Sequence, residues 1–167
     1  MDAFLLVYLA LGLVAGFVAG LLGVGGGLLM VPVLTWAYAA QGFAPAFNIH
    51  LALGTSMAVI VLTSVSSLRA HHAHGAVDWP TVRRMAPGIL AGTLGYVISG
   101  HAVDGLPVGN LGFVYLPALA AIAAGSWLTA PLGARATHRW PTAIIKKIFA
   151  GLLYLLGVRM AYGLLPG

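Results

Sequence analysis

Between Asp2 and Arg69 the chain carries no Asp, Glu, Lys or Arg. A helix needs about 20 consecutive apolar residues to cross a bilayer core, and this interval holds more than two such lengths. Nor is there material for a water-facing surface: 60% of the 167 residues are hydrophobic and only 7% are charged, against about 25% in globular chains. The expected fold is therefore all-α: a polytopic membrane helix bundle, one transmembrane domain over residues 1–167, with the lipid bilayer as its solvent.

The apolar runs divide into about five transmembrane helices. The first extends from Phe4 to Ala40 and is interrupted at Gly23-Val24-Gly25-Gly26-Gly27. Leu28 to Ala40 is too short to span alone, so it reads as the continuation of a broken helix or as a re-entrant arm. The others cover His50 to Ala70, Val82 to Gly100, Phe113 to Gly133 and Ile144 to Leu165. Basic residues cluster after the second span (Arg69, Arg83, Arg84) and after the fourth (Arg135, Arg139, Lys146, Lys147). Gln41 to Ile49 carries no charge, and His101 to Gly112 only Asp104. Positive residues stay in the cytoplasm, so five crossings place the N-terminus in the cytoplasm and the C-terminus outside. The same clustering accounts for the net charge of +5 without a nucleic-acid partner.

The N-terminal apolar stretch is far longer than the core of a secretory signal, and no Lys or Arg precedes it. Ala37-Tyr38-Ala39 is therefore not expected to be a cleavage site. Without cysteine there are no disulfides, and the redox compartment is unreadable.

Four glycines in five positions cannot sustain a regular helix, since each costs about 1 kcal/mol relative to Ala. Backbone freed from helical bonding is tolerated at membrane depth only where protein buries it or a wet cavity lines it. In secondary transporters such breaks aim the positive N-termini of half-helices at anions, and glycine lets a ligand approach the amides. Gly23, Gly25, Gly26 and Gly27 are accordingly the candidate substrate contacts. The alternative for any glycine is close helix packing, which is the preferred reading for Gly12, Gly16 and Gly20. The segment lacks the Gly-Lys-Ser/Thr ending of a phosphate loop, and Leu28 stands where G-x-G-x-x-G needs its last glycine.

The second span carries Gly54-Thr55-Ser56, then Thr63, Ser64, Ser66 and Ser67. Ser56, Thr63 and Ser67 share a helical face by spacing. Most such hydroxyls are expected to bond neighbouring helices. Thr55 and Ser56, directly after a glycine, are the exceptions and join the candidate site.

His71-His72-Ala73-His74 with Asp78 falls short of a closed four-ligand zinc site, and a solvated basic loop is the better reading; no metal and no cofactor is expected. His50 reads as an interface residue. Arg159, inside the last span, is either functional or snorkels to the surface. H-E-x-x-H is absent, Gly54-Thr55-Ser56-Met57-Ala58 stops one residue short of G-x-S-x-G, and there are three acids in the chain. No catalytic residue is expected, and the chain does not read as an enzyme.

Together these stretches resemble the sulfite exporter TauE/SafE family of bacterial membrane permeases. The resemblance rests on GLLGVGGGLLMVPVL (Gly20 to Leu34), HLALGTSMAVIVLTSVSSLRAHHAHGAVDW (His50 to Trp79), LGFVYLPAL (Leu111 to Leu119) and GSWLTAPLGARATHRWP (Gly125 to Pro141). It implies a permease of the cytoplasmic (inner) membrane that moves small anions such as sulfite or organosulfonates. It also places Gly23, Gly25, Gly26, Gly27, Thr55 and Ser56 in the signature of the first half. Family members are built as two related halves, each with its own glycine-rich break, whereas this chain has one. Residues 1–90 resemble the first half and residues 92–167 the end of the second, as if the middle were missing near Ala91. A complete path would then need a homo-oligomer, or a partner chain that supplies the second break. The alternative function is a non-transporting remnant or an accessory membrane subunit.

Overall fold

The computed structural model describes residues 2–22, 27–73, 75, 77–139, 141, 143, 144, 147, 150, 151, 153, 154 and 158. The chain forms helices α1 (Asp2–Leu22), α2 (Gly27–Ala40), α3 (Pro45–His72), α4 (Trp79–His101) and α5 (Leu116–Arg139), with a short hairpin, β1 (Asn110–Leu111) and β2 (Val114–Tyr115), before α5. This is the all-α membrane bundle expected, with its first apolar segment broken at the glycine cluster. Among the described residues, three helical stretches are long and apolar enough to cross a membrane: Ala3–Leu21, Pro45–Arg69 and Leu116–Thr137. Of the fifth expected span, Ile144 to Leu165, only residues 144, 147, 150, 151, 153, 154 and 158 are described, and Arg159 lies outside the described residues.

Helix directions follow from pairs of touching residues. Ser126 Oγ donates to the Gly12 carbonyl at 2.9 Å, and Thr137 Oγ1 to that of Leu21 at 2.7 Å, so α1 and α5 run parallel. Tyr115 bonds Thr55, and Ser66 bonds the Trp127 carbonyl, which makes α3 parallel to both. Tyr8 on α1 meets Gln41 and Tyr38 at the far end of α2. The chain therefore reverses between Leu22 and Gly27, and α2 doubles back. Of the two readings for Leu28 to Ala40, the structure takes the re-entrant arm. Fourteen residues rise about 21 Å, short of the roughly 30 Å bilayer core. α4 also runs antiparallel to α3, with Gly92 against Met57 and Tyr96 against Gly54.

Between helices in lipid there is no hydrophobic drive, so close approach of small residues does the packing. A Cβ on Gly12, Gly16 or Gly20 would overlap the α5 backbone at Ile122, Ser126 and Ala130. Gly125 and Gly133 on α5 admit the α1 backbone in return. Glycine spacing of four along α1 is thus a packing seam, as the sequence reading preferred. The hairpin wedges between α3 and α4: Gly54 and Gly100 leave room for the Gly112-Phe113 turn, and Phe113 N–H donates to the Tyr96 carbonyl at 3.1 Å. Gly112, at φ 58°, sits where its own Cβ would overlap the Val97 carbonyl, so both turn and wedge require glycine.

This arrangement sorts the two ends of the bundle. One end holds the start of α1, the 41–44 turn and the hairpin. The other holds the end of α1, Arg69, Arg83, Arg84 and Arg135, all four arginines exposed. The N-terminus and the arginines lie at opposite ends. The cytoplasmic N-terminus expected from sequence counted residues 4–40 as one crossing, whereas α1 and α2 run antiparallel.

Candidate functional site

Gly23, Gly25 and Gly26 lie outside the described residues. Gly27, the first residue of α2, is placed: a Cβ there would stand 2.9 Å from Ile60 Cδ1. Ile60 precedes Arg69, the basic end of its span, by nine residues, a rise of about 13 Å. α2 therefore begins inside the span rather than at its surface. The first N–H groups of a helix have no intrahelical acceptor, and here they lie at membrane depth with the positive end of the helix dipole.

Ser56 lies one turn deeper than Ile60 on the same α3 face, since residues four apart are neighbours. It is 2% exposed, and its Oγ is buried without a hydrogen-bond partner. Such an orphan costs about 1–3 kcal/mol. Thr55 is fully buried and engaged. Tyr38 Oη donates to its Oγ1 at 3.1 Å, and the Tyr115 N–H donates to the same oxygen at 2.9 Å. One hydroxyl thus ties α2, α3 and the hairpin together. Both residues fall near the middle of the Pro45–Arg69 span.

An aromatic cluster closes the interior on the N-terminal side of Thr55. Tyr38 stacks on Phe43 with centroids 5.4 Å apart, and Tyr115 meets Tyr38 and Phe43 edge-on at 5.7 and 5.3 Å. Tyr8 joins at 6.3 Å from Tyr38, its hydroxyl bonded by Gln41 Nε2. Buried tyrosine hydroxyls need partners, so three tyrosines in apolar runs were an available signal that the sequence reading did not use. Asn48, 5% exposed with Oδ1 unpartnered, was also missed. It sits in the segment read as an outer loop, which Pro45 at the first helical position converts into the first turn of α3.

The other hydroxyls serve the backbone. Thr63 bonds the Val59 carbonyl at 2.8 Å, and Ser66, rather than Ser67, is the buried one that reaches α5. His71 is half-buried, and His72 is exposed with its ring 5.5 Å from Trp79; His74 lies outside the described residues. His50 is exposed, its ring 5.3 Å from that of Phe113.

A broken apolar helix, a second half-helix starting at depth and a glycine-tight bundle are the context in which sequence similarity has meaning. The sequence profile of the sulfite exporter TauE/SafE family matches residues 8–106, more than half of the chain. The chain belongs to the TauE/SafE family. A "Probable membrane transporter protein" of Haemophilus influenzae is 25% identical over 261 residues, covering 96% of this chain and 99% of that relative. Since 96% of 167 residues is about 160, about 100 of the 261 aligned positions have no residue of this chain opposite them. The Bacillus subtilis "Probable membrane transporter protein YunE" is 36% identical over 94 residues, 56% of this chain and 32% of that relative. A Xylella fastidiosa relative of the same description is 34% identical over 104 residues, 60% of this chain and 36% of that one. The chain spans about a third of the length of these last two. No solved structure matches it. The chain is thus a member of a family of membrane transporter proteins, and the three apolar helices among the described residues agree with a membrane location.

Proposed function

We propose that this TauE/SafE chain is a permease that carries small anions, such as sulfite or organosulfonates, across the cytoplasmic membrane. One observation carries the reading: α2 starts within the span at Gly27, one turn of α3 away from the unpartnered hydroxyl of Ser56. The first amides of a helix have no acceptor within the helix and the Ser56 hydroxyl is buried without a partner; an anion satisfies both. Gly23, Gly25 and Gly26, by their place in the sequence, complete the cradle with Gly27. Thr55 holds Tyr38 and Tyr115 through its oxygen and keeps its own proton for the ligand.

The arginine-bearing end is cytoplasmic by the positive-inside rule. With α2 doubling back, the N-terminus then falls on the outer side, opposite to the orientation expected from sequence. About 100 unfilled positions in the Haemophilus alignment support the junction of two family halves near Ala91. One copy then supplies one break of two, and the working unit is a homo-oligomer. The open face of α4 supports this: among the described residues nothing lies within 4 Å of a Cβ on Gly88 or Gly95.

Uptake and efflux of sulfite, sulfoacetate and thiosulfate in proteoliposomes test the function. Transport by the wild-type chain, abolished by Gly26→Leu, is the expected result. A wild-type chain that moves none of these anions is instead the non-transporting remnant or accessory subunit.

A further inference from the structure

One end of the bundle is unbalanced in charge. Arg69, Arg83, Arg84 and Arg135 are exposed there. Of the three acids in the sequence, Asp2 opens α1 at the far end and Asp104 follows α4 at that same far end. That leaves Asp78, which Thr81 Oγ1 already hydrogen-bonds. Two of the arginines, on different helices, close exposed apolar stripes. On α3, Leu62, Val65 and Arg69 follow at spacings of three and four, one helical face, and all are exposed. On α5, Leu128 and Arg135 are seven residues apart, again one face, and both are exposed. Trp127, also exposed, joins the stripes: the Arg69 guanidinium lies over its ring, Cζ 5.9 Å from the centroid.

The Ser66 bond to the Trp127 carbonyl sets the register of the two helices. Arg69 follows Ser66 by three residues and Arg135 follows Trp127 by eight, so the arginines start about 8 Å apart along the axes. Two arginine side chains that converge on one phosphate span that gap. Because α3 and α5 run parallel, both stripes pass from apolar to cationic in the same direction, from within the span to its end.

We propose that the seam between α3 and α5 holds an anionic phospholipid, its phosphate against Arg69 and Arg135 and an acyl chain along Leu62, Val65, Trp127 and Leu128. This goes beyond the transport reading and does not rest on it. Charge complementarity selects the occupant. A phospholipid runs from acyl chain to phosphate as each stripe runs from leucine to arginine, whereas a free anion matches the arginines alone. A second copy of the chain in the same orientation sets arginines level with arginines, like charge against like. Stacking on the indole holds the Arg69 guanidinium by its face and leaves its N–H edges free to fork onto phosphate oxygens. Tryptophan settles at headgroup level, and basic pockets between helices at that level take acidic headgroups.

Native mass spectrometry of the chain in detergent with equimolar phosphatidylglycerol and phosphatidylcholine, matched in acyl chain, reads the preference. The wild-type chain is expected to retain phosphatidylglycerol about thirtyfold over phosphatidylcholine, the worth of two arginines at a membrane surface. Arg69→Gln combined with Arg135→Gln is expected to bring the ratio near one, while Arg83→Gln combined with Arg84→Gln, at the same end, keeps it. Equal retention of the two lipids by the wild-type chain overturns the proposal. So does an equal fall in the second pair, which makes the preference a matter of net charge. Millimolar inorganic phosphate that strips the lipid from the wild-type chain assigns the arginines to a free anion, and overturns it too. A second measurement leaves the arginines in place and covers misfolding of their variants. Phosphatidylglycerol brominated on its acyl chain is expected to quench tryptophan fluorescence more than brominated phosphatidylcholine, and Trp127→Phe to remove the difference. Equal quenching of the wild-type chain by the two lipids overturns the proposal on its own.

Discussion

Two helices of this bundle carry small residues at helical spacing, and they end in opposite situations. On α1, Gly12, Gly16 and Gly20 are buried against α5, whose backbone leaves no room for a single added carbon. On α4, a Cβ at Gly88 or Gly95 would meet open space, and across the helix only Gly100 is buried. Spacings of four on α1 and of seven on α4 each keep the glycines on one helical face; the difference is the presence of a facing helix among the described residues. On α1 small residues admit a neighbour within the protomer, and hydroxyls then bond its carbonyls: Ser126 to Gly12, Thr129 to Leu13 and Thr137 to Leu21. On α4 no such neighbour stands against Gly88 or Gly95 among the described residues.

The largest expected effect tests the closed face. Gly16→Leu drives a side chain into the Ser126 backbone and Thr129, and overpacking of this kind costs about 3 kcal/mol. The measurement is denaturant unfolding in detergent; wild-type stability would mean that α1 and α5 are not in contact. Next comes the group that joins α2, α3 and the hairpin. Thr55→Val leaves the Tyr38 hydroxyl and the Tyr115 N–H without their acceptor, a loss of about 2 kcal/mol by the same assay. Smallest in stability is Gly95→Leu, expected to change unfolding by less than about 0.5 kcal/mol because it meets nothing among the described residues. That variant is nevertheless expected to halve the particle mass measured by light scattering in mild detergent. A mass equal to that of the wild type would mean that the α4 face is covered by lipid.

Much of the bundle was legible because membrane insertion is a constraint on composition. A run of uncharged residues as long as that before Arg69 has no soluble solution, and the breaks between helices fall where glycine, proline or charge demanded them. Gly12, Gly16 and Gly20 were readable as a packing seam because their spacing of four matches the helix. Asn48 and the three tyrosines were not. Whether a polar side chain in an apolar run finds a partner depends on which helices meet, and that is long-range information: Thr55 is bonded by residues 17 and 60 positions away.

The amino-acid sequence alone determined that the chain lives in a membrane and that its first apolar segment is broken, since both follow from local hydropathy and backbone freedom. Only the tertiary structure decided that α2 turns back, which reverses the end at which the N-terminus lies. It alone decided too that Thr55 is engaged while its neighbour Ser56 is left unpartnered. A sharp reversal and a straight continuation use the same glycines, and the contacts of Tyr8 with Tyr38 and Gln41 select between them.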